Sequence, residues 1–149
     1  MVMNIPLVYK NLLISFVKNN VEFMIIGGYA VMHHGYQRIT NDIDIWLKPN
    51  NDNRNKFVKA LKISDKELIV ISQMDFSKNQ VFHINIGLFK IDFLTFVDGL
   101  TYEEADLNKE SFLLQQTLIP VISFYDLIKL KAIAGRFQDK IDIDILQNK

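Results

Sequence analysis

The sequence predicts an α/β or α+β domain, a mixed β-sheet flanked by helices, in one unit spanning residues 1–149. Three observations predict it. Segments of helical and strand periodicity alternate through the first half of the chain. The middle is rich in strand-type runs interrupted by Gly87, and the last stretch returns to helical spacing. The chain has 149 residues, of which 49% are apolar and 11 are Phe. That is one domain's length with enough apolar surface for a core.

Residues 5–18 place Val8, Leu12 and Phe16 at helical spacing, with Leu13 and Val17 beside them. Residues 22–26 are a short β-rich run that ends at Gly27-Gly28, and residues 29–34 form a short helix that Gly35 stops. Residues 42–47 alternate as a strand does, and Pro49 with the Asn/Asp cluster at 50–53 ends it. Residues 54–61 are a second amphipathic helix. Strands are expected over residues 68–72, 81–86 and 88–97, the last two joined in a hairpin at Gly87. Thr101 and Glu104 have capping-box spacing for a short helix. Residues 111–115 and 118–122 read as a small hairpin, Ser123 as an N-cap, and residues 127–134 as the helix that Gly135 interrupts. In the tail, Ile141, Ile143 and Ile145 alternate, while Ile141, Ile145 and Leu146 fit a helix face; helix is expected, since it follows another helix closely. There is no linker, no internal repeat and no low-complexity stretch.

Composition narrows the function classes. No cysteine is present, which excludes disulfides and thiol chemistry and makes the cytoplasm the expected compartment. No apolar run approaches the roughly 18–20 residues of a membrane span, and the opening MVMNIPLVYK lacks the form of a signal peptide. Seventeen basic side chains balance seventeen acidic ones. A protein living on non-specific nucleic-acid contacts is usually clearly basic; neutrality also favours self-association, so a homodimer is expected.

Chemistry concentrates in three places. At Ile26-Gly27-Gly28-Tyr29 a strand meets a helix through two glycines. Glycines let backbone approach a ligand closely, and the free N–H groups of a helix start favour an anion such as phosphate. By itself such a turn is more often only a tight turn, and it is not a Walker A loop. In Asp42-Ile43-Asp44-Ile45 the two acids share one face of a strand and the isoleucines the other. Adjacent carboxylates repel, and Asp is disfavoured in strands. A hard divalent cation such as Mg²⁺, which takes carboxylate and phosphate oxygens together, would offset that arrangement; a solvent-facing edge strand is the plain alternative. Asp92 is a lone acid in the apolar run Phe89–Thr95. If its strand neighbours residues 42–47, about 4.8 Å away, the three acids converge as a two-metal site requires. A surface-facing acid is the alternative for Asp92 alone.

Gly27-Gly28, Asp42-x-Asp44 and a later strand Asp92 together resemble the nucleotidyltransferase superfamily of the DNA polymerase β type. Gly27-Gly28-Tyr29-Ala30-Val31, His34-Gly35 and Arg38-x-Thr40-x-Asp42-x-Asp44 are similar to small bacterial nucleotidyltransferases related to abortive-infection toxins. Asp126-Leu127-Ile128, Lys131, Gly135-Arg136, Asp139 and Asp142 resemble the same group's helical motif, so the likeness spans roughly residues 22–146. It implies the nucleotidyltransferase fold and transfer of a nucleoside monophosphate from an NTP such as ATP to a hydroxyl, with pyrophosphate released. It implies that Gly27, Gly28 and Tyr29 form the nucleotide-binding turn and that Arg38 and Thr40 line the nucleotide. Lys131 is implied near the phosphates. Asp42, Asp44 and Asp92 are implied to bind Mg²⁺, with Asp92 also assisting deprotonation of the acceptor. Two departures stand out. Many superfamily members have Gly-Ser where this chain has Gly27-Gly28, and the group tends to have Lys where Gln138 precedes Asp139, with Lys140 as a substitute.

Other residues of chemical interest have simpler roles open to them. Ile141-Asp142-Ile143-Asp144-Ile145 nearly copies the acidic strand, but no glycine turn precedes it and a helix turns its acids about 200° apart. His33, His34 and His83 read as packed or capping residues rather than metal ligands, since no acid sits at ligand spacing within that helix. Trp46 shares the face of Asp42 and Asp44 and either stacks on a base or covers core. Arg136 is either a phosphate contact or a surface cation. The functional expectation is an Mg²⁺-dependent nucleotidyltransferase whose acceptor is RNA (tRNA in particular), protein or a small molecule. The competing expectations are a catalytically silent NTP-binding or toxin–antitoxin-type module of the same fold, and a purely structural domain.

Overall fold

The computed structural model describes residues 4–36, 40 and 42–148. Along them run α1 (Leu7–Lys18), β1 (Phe23–Ile26), α2 (Gly27–His33), β2 (Asp42–Leu47), α3 (Asn51–Ala60), α4 (Asp65–Ser72), β3 (Val81–Ile86), β4 (Phe89–Leu94), α5 (Tyr102–Asn108), β5 (Glu110–Leu114), β6 (Thr117–Val121), α6 (Phe124–Ala134) and α7 (Phe137–Gln147). The strands make one mixed sheet in the order β3-β4-β2-β1-β6-β5. β2 runs parallel to β4 and β1 parallel to β6; the other neighbours are antiparallel. Among the described residues no helix is long and apolar enough to cross a membrane.

The two faces of the central strands are chemically opposite, as period-2 alternation requires. On one face Ile43, Ile45, Ile91 and Phe93 are fully buried. They lie under an aromatic cluster in which Phe16 of α1 and Phe57 of α3 meet Phe93, with ring centroids 6.1 Å and 4.9 Å away. Phe76 and Phe82 extend the cluster. The other face carries Asp42, Asp44, Lys90 and Asp92. Trp46 closes the far end of that face. It is buried, donates its indole N–H to the Thr95 carbonyl at 3.1 Å and packs edge-on against Tyr102 of α5 at 5.3 Å.

Local signals explain most boundaries. The Thr101–Glu104 capping box is formed in both directions. Ser123 accepts from the Asp126 N–H, and Gly135 ends α6 in the left-handed region at φ 62°. Gln115 and Gln116 turn the β5–β6 hairpin with φ of 47° and 68°, the two left-handed residues that a tight hairpin turn needs. The tail is helical. The Asn50–Asn53 cluster does more than end β2: the Asn50 side chain accepts from the Asn53 N–H at 2.7 Å and starts α3.

One expectation fails. Residues 68–72 are not a strand but the second half of α4. Ser64 accepts from the Glu67 N–H, and its hydroxyl donates to Glu67 Oε1, so the helix is capped ahead of the β-branched run. Only Ile71 of α4 is buried, whereas Ile69 and Val70 face outward. With Ile71 and the partly buried Leu68 as its anchors, this surface helix needs no more, so β propensity loses to the cap.

Candidate active site

Gly27 follows β1 directly, and the β1–β2 register sets Ile26 opposite Asp44. Gly27 has φ of 67°, and a Cβ on it would lie 2.2 Å from Asp44 Oδ2. Only glycine fits, for both conformation and space. A Cβ on Gly28 would lie 2.9 Å from Thr40 Oγ1. The Thr40 hydroxyl donates to the Asp42 carbonyl at 3.1 Å, which ties the glycine turn to the start of β2.

The three acids share one side of the sheet. In the parallel β2–β4 pair Asp44 is in register with Asp92, and Asp42 with Lys90. Strands in register lie about 4.8 Å apart, so Asp44 and Asp92 are direct lateral neighbours. Burial pushes the Asp44 carboxyl up to about 6, and the charges of Asp92 and Asp42 push it the same way, against the pull of Arg136 and Lys131. The Lys90 ammonium lies 3.7 Å from Asp42 Oδ2 and 3.4 Å from Asp92 Oδ1. Sequence reasoning did not single out Lys90. Its parity with Asp92 was legible, but its place beside Asp42 follows only from the pairing register.

A cation partly offsets this charge, and the donor set suits another. Three carboxylates converge with one lysine shared between two of them, and burial together with the neighbouring acids raises the Asp44 carboxyl. Oxygen-only donors of that kind fit Mg²⁺.

The α6–α7 pair approaches from the helical side. Lys131 is buried and its ammonium lies 2.8 Å from Asp142 Oδ2 and 3.3 Å from Asp139 Oδ1. Gln138 donates to Asp142 at 2.8 Å. Arg136 Nε donates to Asp139 Oδ2 at 2.7 Å while its side chain stays mostly exposed. Burial raises the Asp139 carboxyl, but the Arg136 hydrogen bond and the Lys131 and Arg136 charges outweigh it and hold it below the ordinary range. Asp142, in the near copy of the acidic strand, is therefore the counter-ion of Lys131, while Asp144 points outward.

The remaining candidates fall as follows. The Tyr29 ring is buried edge-on against Tyr9 at 5.9 Å, so only its backbone borders the turn. Arg38 lies outside the described residues. The His33 and His34 rings are 4.8 Å apart, and an acid absent from their helix, Glu110 of β5, faces both. His34 Nε2 bonds the Ile122 carbonyl rather than the end of its own helix. Sequence spacing had no means of finding Glu110, which only the sheet brings there.

The mixed six-stranded sheet, with its glycine turn beside three carboxylates, has the fold of solved nucleotidyltransferases. Solved structures bear this out. A candidate nucleotidyltransferase from Thermotoga maritima, TM1012, matches 95% of this chain and 91% of its own at 16% identity, with a TM-score of 0.57. The antibiotic-resistance factor ANT(2'')-Ia matches in solution over 93% of this chain and 80% of its own, at 14% identity and a TM-score of 0.57. In complex with adenylyl-2''-tobramycin it matches over 93% and 85%, at 13% identity and a TM-score of 0.58. No family model matches the sequence, and no curated protein does. At these identities the shared property is the fold.

Proposed function

We propose that the chain is an Mg²⁺-dependent nucleotidyltransferase that moves a nucleoside monophosphate from an NTP to a hydroxyl acceptor. The observation that carries this reading is the in-register pair Asp44–Asp92 with Asp42 on the same face, packed against Gly27. Asp42, Asp44 and Asp92 would hold the metal, which when bound screens phosphate charge and lowers the barrier to attack at phosphorus. The Gly27-Gly28 backbone leaves room for phosphate oxygens, with Thr40 and Arg38 lining the nucleotide. Asp92 accepts the proton of the acceptor hydroxyl. The new bond joins the acceptor oxygen to the α-phosphorus, and the bond to the β-phosphate oxygen breaks, releasing pyrophosphate. Lys131 is paired with Asp139 and Asp142, and the exposed Arg136, whose charge acts on Asp44 more strongly, is the better placed phosphate contact.

The acceptor classes are RNA, tRNA included, a protein hydroxyl or a small molecule. The ANT(2'')-Ia complex, with its adenylylated tobramycin, supports the small molecule. A homodimer would supply the second wall of the acceptor pocket.

The test is release of pyrophosphate from labelled NTP, with Mg²⁺ and a panel of these acceptors. Asp42→Ala is expected to lower the rate by about a hundredfold or more with the fold intact. No release with any acceptor, in protein that calorimetry shows to bind NTP, would favour the silent module. One observation supports that second reading: Lys90 already pairs with two of the three acids and offsets part of their charge.

A further inference from the structure

The end of α2 opposite the glycine turn holds a second group of ligand-type side chains that nucleotidyl transfer does not use. His33 and His34 close α2, and Glu110 opens β5. Their ligand atoms lie within 4.8 Å of one another. We propose that His33, His34 and Glu110 form a binding site for a divalent transition-metal cation, Zn²⁺ foremost, separate from the carboxylate cluster.

Hydrogen bonds around two of the three side chains, His34 and Glu110, set them up as ligands. His34 Nε2 lies 2.8 Å from the Ile122 carbonyl oxygen. A carbonyl only accepts, so Nε2 carries the proton, and Nδ1 of the neutral ring presents a lone pair. That tautomer lock, a ring N–H held by a backbone carbonyl, is the usual outer support of a metal-bound histidine. Glu110 is oriented as well, because Oε2 accepts the Phe124 N–H at 3.3 Å. Phe112 and Phe124 wall the imidazoles at 5.8 Å and 5.7 Å.

The spacings suit a shared ion as well as the direct contact that His33 makes with Glu110. His33 Nε2 is 3.5 Å from Glu110 Oε1, and His34 Nδ1 is 4.0 Å from Oε2. Good hydrogen bonds of this type are about 2.7–2.9 Å long. Two ligands bound at about 2.0–2.1 Å to a tetrahedral zinc are about 3.4 Å apart. His33 and Glu110 already stand at that spacing, the His34–Glu110 pair needs a contraction of about half an ångström, and all three ligand atoms start within 4.8 Å of one another. Two histidines and one glutamate leave a fourth position for water, which the half-exposed Glu110 carboxylate leaves open to solvent. Imidazole nitrogen selects zinc over magnesium, whereas the Asp42, Asp44 and Asp92 site offers oxygen alone. An ion here would join α2, β5 and the start of α6, and so brace the helix that begins at Gly27.

Metal-stripped full-length protein in excess Mg²⁺ is titrated with Co²⁺, read by its visible absorption, and then with Zn²⁺ in competition. One equivalent is expected, retained in Asp44→Asn. His33→Gln and Glu110→Gln are each expected to weaken uptake about tenfold or more. Zn²⁺ at a hundred times its Kd is expected to raise the Tm by about 5–10 °C in the parent. Circular dichroism establishes that each variant is folded, and the surface position of Glu110 makes its variant the safer of the two. Absence of saturable uptake in the parent overturns the proposal. So does uptake that survives both substitutions or is lost in Asp44→Asn. Pyrophosphate release scores the transfer reading separately, so either can fail alone.

Discussion

Gly27 is the residue on which the site's geometry turns. Its φ of 67° places it where a Cβ is disfavoured, and its hydrogen occupies the space beside Asp44 Oδ2. Gly27→Ala forces either the backbone or the Asp44 carboxylate to move. The expected destabilisation is about 1–3 kcal/mol by urea unfolding, together with loss of the rise in Tm that Mg²⁺ is expected to produce in the parent. An alanine variant with the parent's unfolding midpoint and Mg²⁺ response would show that the close approach has no role. The glycine pair and the three acids were legible in the sequence because strand parity is rigid: residues two apart share a face whatever the fold. Partners across the sheet or between helices were not. Lys90 meets Asp42, Glu110 meets the two histidines and Asp142 meets Lys131 only through strand register or helix packing. No local spacing encodes those contacts.

At the scale of elements, caps were more informative than propensities. Ser123 and the Thr101–Glu104 box mark α6 and α5 where the sequence says they should. The one misread element, α4, carries the same signal in Ser64 and Glu67, eclipsed by the β-branched run that follows. α4 buries little beyond Ile71, so it leans on its cap more than a core helix does. Ser64→Ala is expected to cost about 1 kcal/mol and to speed amide exchange across Asp65–Ser72 while leaving the central strands protected. Unchanged exchange there would mean that Ile71 packing, and not the cap, holds the helix. The strand order was beyond reach from sequence, because β2 and β4 pair in parallel across the intervening α3, α4 and β3. Local signals bound elements; only long-range burial arranges them.

For the whole molecule, the sheet divides labour between its faces, and that division has a thermodynamic signature. One face is filled by the phenylalanine cluster and stabilises the fold. The other gathers like charges, which oppose folding unless a cation or a proton is added. Asp44 reports the conflict. Burial and the charges of Asp92 and Asp42 raise its carboxyl from 3.8 to about 6, in spite of Arg136 and Lys131 from the helical pair, while Lys90 sits between the other two acids. A carboxyl raised in the folded state binds its proton more tightly there than in the unfolded chain. Its contribution to stability is therefore complete below about 3.8 and is lost as pH rises through about 6. With metal removed, the parent is expected to lose on the order of 2 kcal/mol across that window, allowing for water at a half-buried site. Asp44→Asn, which cannot titrate, is expected to lose much less. Saturating Mg²⁺ is expected to reverse the trend, because a cation that requires the ionised carboxylate competes with the proton and binds better as pH rises. Urea unfolding across about pH 4–7, with chelator or with Mg²⁺, measures all three curves. Parallel curves for the parent and Asp44→Asn would place the like-charge conflict elsewhere on the acidic face. A parent curve that Mg²⁺ leaves unmoved would remove the reason for gathering three carboxylates on one side of a sheet whose stability they diminish.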